Sequence, residues 1–116
     1  MNISTQLFQL DENIRYVAVN QRGKIVEMQQ NPKLPTGNSH DTDRIEELIV
    51  NPTLLGLAKR RGELDLDGIR YLIIRYGILN QLVFPYKQGH ISVGIELNAN
   101  VAEIARKIAQ SLSLPL

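Results

Sequence analysis

The stretch that decides the fold is residues 69–97, IRYLIIRYGILNQLVFPYKQGHISVGIEL. Residues 69–76 and 79–86 are rich in β-branched and aromatic side chains, and only Gly77 and Ile78 separate them, which is typical of two antiparallel strands joined by a tight turn. From Gly89 onwards apolar residues alternate with polar or small ones, the pattern of a strand with one buried face. The stretch therefore predicts three consecutive antiparallel strands.

Upstream, residues 14–19 (IRYVAV) and 24–28 (KIVEM) predict a first hairpin. The four residues that begin at Asn20 and end at Gly23 favour a type I turn closed by a left-handed glycine. Residues 30–40 (QNPKLPTGNSH) carry two prolines, one glycine and two asparagines, so we expect a surface loop there.

Two helices are predicted from capping patterns. Asp43 and Glu46 have capping-box spacing, which predicts a helix that begins near Thr42, is broken at Asn51-Pro52 and ends at Gly62. Asn100 and Glu103 repeat the capping box ahead of an amphipathic run that reaches the C-terminus. An additional helical turn is expected within residues 3–10.

The resulting order is two strands, helix, three strands, helix. This order predicts an α+β fold in which one five-stranded antiparallel sheet is flanked by helices, within a single domain of residues 1–116. The strand separation at Gly77-Ile78 also sets a register in which the numbers of facing residues sum to about 155. In that register Pro85 faces Arg70 near the end of the partner strand, where a missing N–H costs little, and Gly89 is expected to be the turn glycine.

Composition limits the classes of function. The chain has 116 residues, 43% of them hydrophobic, a formal net charge of +1 and no cysteine, so thiolate metal sites are excluded. The small charge argues against nucleic acid as the default partner, since proteins that bind it usually carry a marked basic surplus. No apolar run reaches the roughly 18 residues of a membrane span and no signal-peptide pattern is present, so we expect a cytoplasmic protein that does not bind membranes.

The spacing and number of the candidate residues argue against a catalytic or metal-binding site. His90, Ser92 and Glu96 share one strand face, but His90 and Glu96 are about 20 Å apart along the strand, too far for a catalytic triad. His40, Asp41 and Asp43 lack a convincing further metal ligand. The acidic run at 63–67 lacks the terminal glutamate of a calcium loop, because Ile74 stands at the twelfth position. No catalytic, cofactor-binding or metal-binding residue is therefore predicted.

Strand 69–76 is apolar on both faces, and such a strand is an aggregation hazard if it lies uncovered at a sheet edge. One hypothesis is that it forms a homodimer interface through Tyr71, Ile73 and Arg75, helped by Leu54 and Leu55 of the broken helix. The alternative is that the strand is internal to the sheet, and the sequence favours neither.

The one basic cluster comprises Lys59, Arg60 and Arg61. It is a candidate patch for an anion or an acidic partner. A second interpretation is that these cations complement the dipole at the C-terminal end of their own helix.

The strand and helix order over residues 14–112, together with the C-terminal helix NANVAEIARKIAQSL, resembles the roadblock and dynein-light-chain domains and their profilin-like relatives. The stretch FPYKQGHISVGIE is also similar to a set of short archaeal proteins. The roadblock resemblance implies a sheet of order 2-1-5-4-3, dimers formed at the edge strand 3 with help from the connecting helix, and action as non-enzymatic scaffolds or regulators. The chain departs from that family in its proline-rich loop, its interrupted helix and its weak N-terminal helix.

The leading functional hypothesis is a non-enzymatic regulatory or adaptor domain that acts as a homodimer on an unidentified protein partner without a cofactor. The alternative is a small-molecule sensor of the PAS or GAF kind, which would need a cavity lined by Tyr16, Tyr71, Tyr76 and Phe84. A third hypothesis is weak nucleic-acid or phosphate binding through the basic cluster, with affinity that falls steeply with salt.

Overall fold

The computed structural model describes residues 2–34 and 40–116. Residues 35–39 of the predicted surface loop, and the side chain of the candidate metal ligand His40, lie outside that description. The elements, in chain order, are helix α1 (Ile3–Phe8), strands β1 (Ile14–Gln21) and β2 (Lys24–Gln30), helix α2 (His40–Ile45), a π-helical turn (Glu46–Val50), helix α3 (Asn51–Asp65), strands β3 (Leu72–Arg75), β4 (Asn80–Tyr86) and β5 (Gly89–Ile95), and helix α4 (Val101–Leu112).

The five strands form one antiparallel sheet of order β2-β1-β5-β4-β3, which confirms the predicted fold class. One face packs against α1 and α4 around the fully buried Leu7, Phe84 and Ile108. Residues 40–65, which we call the helical segment, lie over the other face. The central position of β5 makes it the strand that joins the β1–β2 hairpin to the β3–β4 hairpin.

The predicted register of the β3–β4 hairpin is confirmed. Leu72 faces Val83 and Arg75 faces Asn80, and both pairs sum to 155. The backbone N–H of Tyr76 donates to the carbonyl of Leu79 at 2.9 Å, which closes the turn. Strand β3 is only four residues long, shorter than the predicted eight, so on the β3 side no ladder reaches Pro85, which pairs with His90 of β5 on its other side.

The turn of the first hairpin differs from the prediction. Arg22 and Gly23 have φ angles of 55° and 78°, so both central residues are left-handed and the turn is a two-residue type I′ turn instead of type I. A bulge between Val19 and Asn20 shifts the register of the β1–β2 ladder ahead of this turn. Primed turns match the right-handed twist of paired strands, which is why this geometry is common in two-residue hairpins.

Gly89 is not the turn glycine that the sequence predicts. The left-handed residue of the β4–β5 turn is Lys87, with φ 51°, whereas Gly89 is the first residue of β5 and faces Gln21 of β1. A Cβ atom built on Gly89 would lie 1.8 Å from the carbonyl oxygen of Asn20. The position requires glycine because two backbones approach closely, a requirement that no local turn pattern reveals.

The helical segment also departs from its predicted limits. The chain is already helical at His40, and Asp43 does not act as an N-cap, because its carboxylate accepts a hydrogen bond from Gln30 Nε2 at 3.0 Å. The predicted break at Asn51-Pro52 takes the form of the π-helical turn, in which the Asn51 N–H donates to the carbonyl of Glu46. This widened turn precedes Pro52, which has no N–H to continue the α-helical pattern.

Helix α3 continues past Gly62, where the sequence predicts its end. The N–H groups of Leu66 and Gly68 both donate to the carbonyl of Gly62 at 3.0 Å, and the helix ends at Asp65. The basic cluster is therefore not in the last turn and does not complement the helix dipole there. The predicted cap of the last helix is present, because Asn100 accepts from the Glu103 N–H at 3.1 Å to begin α4. The helical turn expected within residues 3–10 corresponds to α1.

Across the described residues 2–34 and 40–116, every helix is too short or too polar to cross a membrane.

Candidate functional site

A polar cluster lies between the sheet and the helical segment, on the face opposite the apolar core. Ile91 and Val93 of β5 point into that core, so the alternate residues His90 and Ser92 point towards the helical segment. Tyr16 of β1 joins them from the neighbouring strand. All three side chains contact one carboxylate, that of Glu47, which is fully buried.

The geometry around Glu47 satisfies both of its carboxylate oxygens. Oε1 contacts His90 Nε2 at 2.8 Å and accepts from Asn51 Nδ2 at 3.2 Å. Oε2 accepts from the Tyr16 hydroxyl at 2.9 Å and from Ser92 Oγ at 2.7 Å. These four partners offset much of the desolvation free energy of the buried carboxylate. A buried charge without such partners would not be compensated in this way.

The π-helical turn places Glu47 in this position. The backbone carbonyl of Glu47 accepts from Asn20 Nδ2 at 3.3 Å, so main chain and side chain of the same residue are both held by the sheet. Ser92 in turn accepts a hydrogen bond from Gln81 Nε2 of β4. Three strands, β1, β5 and β4, therefore hold the helical segment through one residue, and we call this set of side chains the Glu47 cluster.

The cluster is not arranged for nucleophilic catalysis. Ser92 donates its proton to Glu47 and not to His90, and both Ser92 and His90 are buried. Burial, and next the Glu47 carboxylate, raise the pKa of Tyr16 above its usual range, so its hydroxyl stays a proton donor to Glu47. Glu96 is far from this cluster and lies 3.6 Å from the Arg15 guanidinium.

A pocket of about 270 Å³ lies beside the Glu47 cluster, between the start of the helical segment and the end of the sheet. Its walls combine charged, phenolic and apolar side chains from β1, β5, the β3–β4 hairpin and the helical segment. The residues that line it are Arg15, Tyr16, Thr42, Asp43, Glu46, Tyr76, Ile78, Leu79, Gln81 and Gly94.

Glu46 and Tyr76 face each other across this pocket. The Tyr76 hydroxyl donates to the Glu46 carboxylate, with O–O distances of 3.0 and 3.2 Å. Burial raises the pKa of Glu46, against the opposing effect of this hydrogen bond. Burial, and next the Glu46 charge, raise the pKa of Tyr76 to about 12. Both groups therefore lie in a partly desolvated and locally negative environment.

The four aromatic residues that a sensor-type cavity would need are divided between the two faces of the sheet. Tyr16 and Tyr76 line the pocket, whereas Tyr71 and Phe84 contact each other on the α4 side, with ring centroids 5.6 Å apart. The pocket is therefore lined by only two of these four aromatic residues, together with charged and apolar side chains.

The predicted interface residues lie in different environments. Ile73, at the middle of the edge strand, is 40% exposed, whereas Tyr71 packs partly against the core. Arg75 donates from Nη1 to the carbonyl of Leu97 at 3.0 Å.

The two helix residues of that prediction also differ. Leu54 is exposed on the outer side of α3, while Leu55 is buried beneath it. The interface itself stays a prediction, and within a single chain Ile73 and Leu54 are its two apolar members that reach the surface.

An apolar surface on the outer side of the helical segment was not predicted from the sequence. Ile49 and Leu57 are 61% and 60% exposed, and their spacing of eight residues puts them on the same side of the helix. Ile45, Leu48 and Leu54 are exposed beside them. The capping pattern at Asp43 and Glu46 does not reveal this surface, because it does not show that the inward-facing residue of this turn is Glu47.

Lys59, Arg60 and Arg61 do not form one basic face. All three are exposed, but consecutive residues on a helix point in directions about 100° apart, and Arg61 is paired with Asp65. No group of three or more potential metal ligands occurs among the described side chains.

Comparisons with known proteins support the fold of the chain and no more specific property. No family model and no curated protein matches the chain. Among solved structures, a roadblock/LC7 domain from Streptomyces avermitilis has a TM-score of 0.71 at 13% identity, covering 94% of this chain and 88% of that one. A structure described as MglB with tetrameric arrangement has a TM-score of 0.70 at 8% identity, covering 92% and 77%. The gliding protein mglB from Thermus thermophilus gives 0.61 at 12% identity, covering 94% and 84%. The chain therefore has the roadblock/LC7 fold, as its resemblance to that family implies.

Proposed function

We propose that this chain is a non-enzymatic regulatory or adaptor domain that acts as a homodimer in protein–protein interaction. The observation that carries the proposal is an apolar surface at the outer side of the helical segment, in a chain whose β3 edge is also unpaired within the described residues. Proteins with the same fold include MglB in a tetrameric arrangement, which supports self-association as the use of such a surface.

The sheet edge supplies the first part of the argument. Strand β3 pairs only with β4, so one row of its backbone N–H and C=O groups is unpaired within the described part of the chain. Ile73 lies at the middle of this four-residue strand, where a second β3 strand could pair antiparallel around a twofold axis. Such pairing is self-complementary, because each residue meets the symmetry-related row of the same strand.

The helical surface supplies the second part. Ile45, Ile49 and Leu57 expose apolar side chains on a segment whose inner side is held against the sheet by the Glu47 cluster. A contiguous apolar patch on a small protein usually marks an interaction site. A second copy that pairs at the β3 edge and packs on this surface would cover both, which is the arrangement that the proposal requires.

The test is the solution mass, measured by size-exclusion chromatography with light scattering over a dilution series from roughly 100 µM to 1 µM, the range of ordinary dimer affinities. We expect a dimer that loses at least about tenfold in affinity on Ile73→Lys or Leu57→Lys. Such a loss corresponds to about 1.4 kcal/mol.

Val26→Lys is the matched control, since Val26 is 56% exposed on β2, at the opposite edge of the same sheet. It should leave the dimer intact. A monomer at all concentrations would contradict the proposal, and so would a dimer that is lost with Val26→Lys but persists with Ile73→Lys.

A further inference from the structure

The pocket beside the Glu47 cluster has chemistry that the proposed function does not use. We propose that it binds a small organic cation with an apolar portion, in which the Glu46 carboxylate pairs with an ammonium group and Ile78 and Leu79 contact the apolar part. This site is independent of the dimer and does not need a second chain.

The charges around the pocket favour a cation. Three carboxylates, those of Asp43, Glu46 and Glu47, act electrostatically on Tyr16, which forms one wall. The cation in the lining, Arg15, is already engaged: it lies 3.6 Å from the Glu96 carboxylate and donates to the Ile78 carbonyl at 3.1 Å. Among the described residues, the pocket lining on the side of the helical segment contains two carboxylates, those of Asp43 and Glu46.

Glu46 differs from Glu47 in the number of side chains that hydrogen-bond to its carboxylate and in lining the pocket. Glu47 is surrounded by four hydrogen-bonding groups, whereas among the described residues Glu46 receives a side-chain hydrogen bond only from Tyr76. Burial nevertheless raises the pKa of Glu46, which means that its charged form is incompletely compensated. A bound ammonium group would supply the compensating charge at the remaining lone pairs of this carboxylate.

The size and walls of the pocket limit the ligand. A volume of about 270 Å³ holds roughly ten non-hydrogen atoms, by comparison with an engineered cavity of about 150 Å³ that holds benzene. The phenol rings of Tyr16 and Tyr76 offer faces that attract cations, and Ile78 and Leu79 offer apolar contact. An aryl or alkyl ammonium of this size satisfies both requirements.

The experiment compares three probes of similar shape: phenethylammonium, hydrocinnamate and phenethyl alcohol, which carry a positive, a negative and no charge. Binding is followed at constant ionic strength by chemical-shift changes of the backbone amides, with those of Ile78 and Gly94 reporting on the pocket. We expect phenethylammonium to shift these resonances saturably and to bind at least about tenfold more tightly than the other two probes, which is about 1.4 kcal/mol.

Glu46→Gln should weaken phenethylammonium binding by about tenfold or more, while the exposed Glu63→Gln, which removes the same charge from α3, should leave it unchanged. Amide spectra of both variants verify that the fold is retained. Equal binding by the two variants, tighter binding of hydrocinnamate, equal binding of phenethyl alcohol, or no saturable shift at Ile78 and Gly94 would each overturn the proposal. None of these outcomes bears on the oligomeric state, so the two proposals can fail separately.

Discussion

Glu47 is the residue on which the arrangement of the helical segment depends. Its carboxylate has no access to water, and its partners come from β1, β5 and the segment itself. A leucine here would leave Tyr16, Ser92 and Asn51 without an acceptor, and such buried unsatisfied groups are costly. The chain therefore holds the segment through one fully buried carboxylate in addition to the apolar contact of Leu55.

We expect Glu47→Ala to lower the free energy of unfolding by about 3 to 5 kcal/mol, because it removes a buried acceptor from several donors and leaves a cavity. Glu47→Gln keeps the volume but turns an NH2 group towards two donors, so a smaller loss of about 2 kcal/mol is expected. Urea unfolding measures both. The exposed Glu63→Ala should change stability by no more than about 0.5 kcal/mol, and an equal loss in that control would contradict this account.

Tyr76 predicts a pH dependence of stability in the alkaline range. Its pKa is raised from 10.0 to about 12 in the folded protein, so the folded state holds the proton more tightly than the unfolded state. The stabilisation is fully present below pH 10 and is lost as the pH rises towards about 12. Urea unfolding over this interval should show a shallower loss for Tyr76→Phe than for the parent chain, whereas Tyr86→Phe should match the parent. Identical slopes for all three proteins would refute the prediction.

At the scale of elements, the helical segment owes its orientation to the π-helical turn. One wider turn before Pro52 changes which residues of the segment face the sheet, so that Glu47 points inwards while Ile45 and Ile49 point outwards. A regular α-helix turns about 100° per residue, so without the wider turn the residues on its two sides would be rotated differently about the helix axis. The interruption therefore exposes the surface on which the proposed dimer relies.

Helix α4 provides a simpler test at the same scale, because its beginning depends on one local contact. Asn100 Oδ1 accepts the N–H of Glu103 at 3.1 Å, so Asn100→Ala should destabilise the protein by about 1 kcal/mol, the usual value of an N-cap. Thermal unfolding followed by circular dichroism measures the change. Asn98→Ala, two residues earlier, should be close to neutral; if it costs as much as Asn100→Ala, capping is not the cause.

The sequence predicts those elements best whose signals are local. The β3–β4 register follows from a two-residue separation, and α4 follows from its cap and its apolar stripe. Gly89 and Glu47 could not be predicted in the same way, since each is decided by residues distant in sequence: the carbonyl of Asn20 for one, and side chains of β1 and β5 for the other. His90 and Ser92 were recognised as a polar face, but their common partner lies 43 and 45 residues away.

At the scale of the whole molecule, the two sides of the sheet have different roles. The side towards α1 and α4 contains the apolar core, with Leu7, Phe84 and Ile108 fully buried. The side towards the helical segment contains the Glu47 cluster and the cation pocket, and beyond it lies the apolar outer surface. The apolar core and the buried polar cluster are thus on opposite faces of one sheet, and the surfaces of both proposals lie on the polar side or at its edge.

A dimer of this kind makes thermal stability depend on concentration. If two chains associate only when folded, the unfolding midpoint should rise with protein concentration, because association removes folded monomer from the equilibrium. Differential scanning fluorimetry over a hundredfold range of concentration should show this rise for the parent chain and for Val26→Lys. A weaker dependence of the midpoint on concentration is expected for Ile73→Lys, and a midpoint that does not vary with concentration in the parent chain would argue against the dimer.

The central place of β5 in the sheet has a consequence for synthesis on the ribosome. Strands β1 and β4 each need β5 as a neighbour, yet β5 is the last strand to be made, and Val17 must wait for Val93 to emerge. Until then the nascent chain holds two separate hairpins with open edges, which are prone to pair wrongly. Completion of the sheet is therefore a late event that brings together distant parts of the chain. A ribosome that pauses before residue 89 would prolong the interval in which the open hairpins need chaperones.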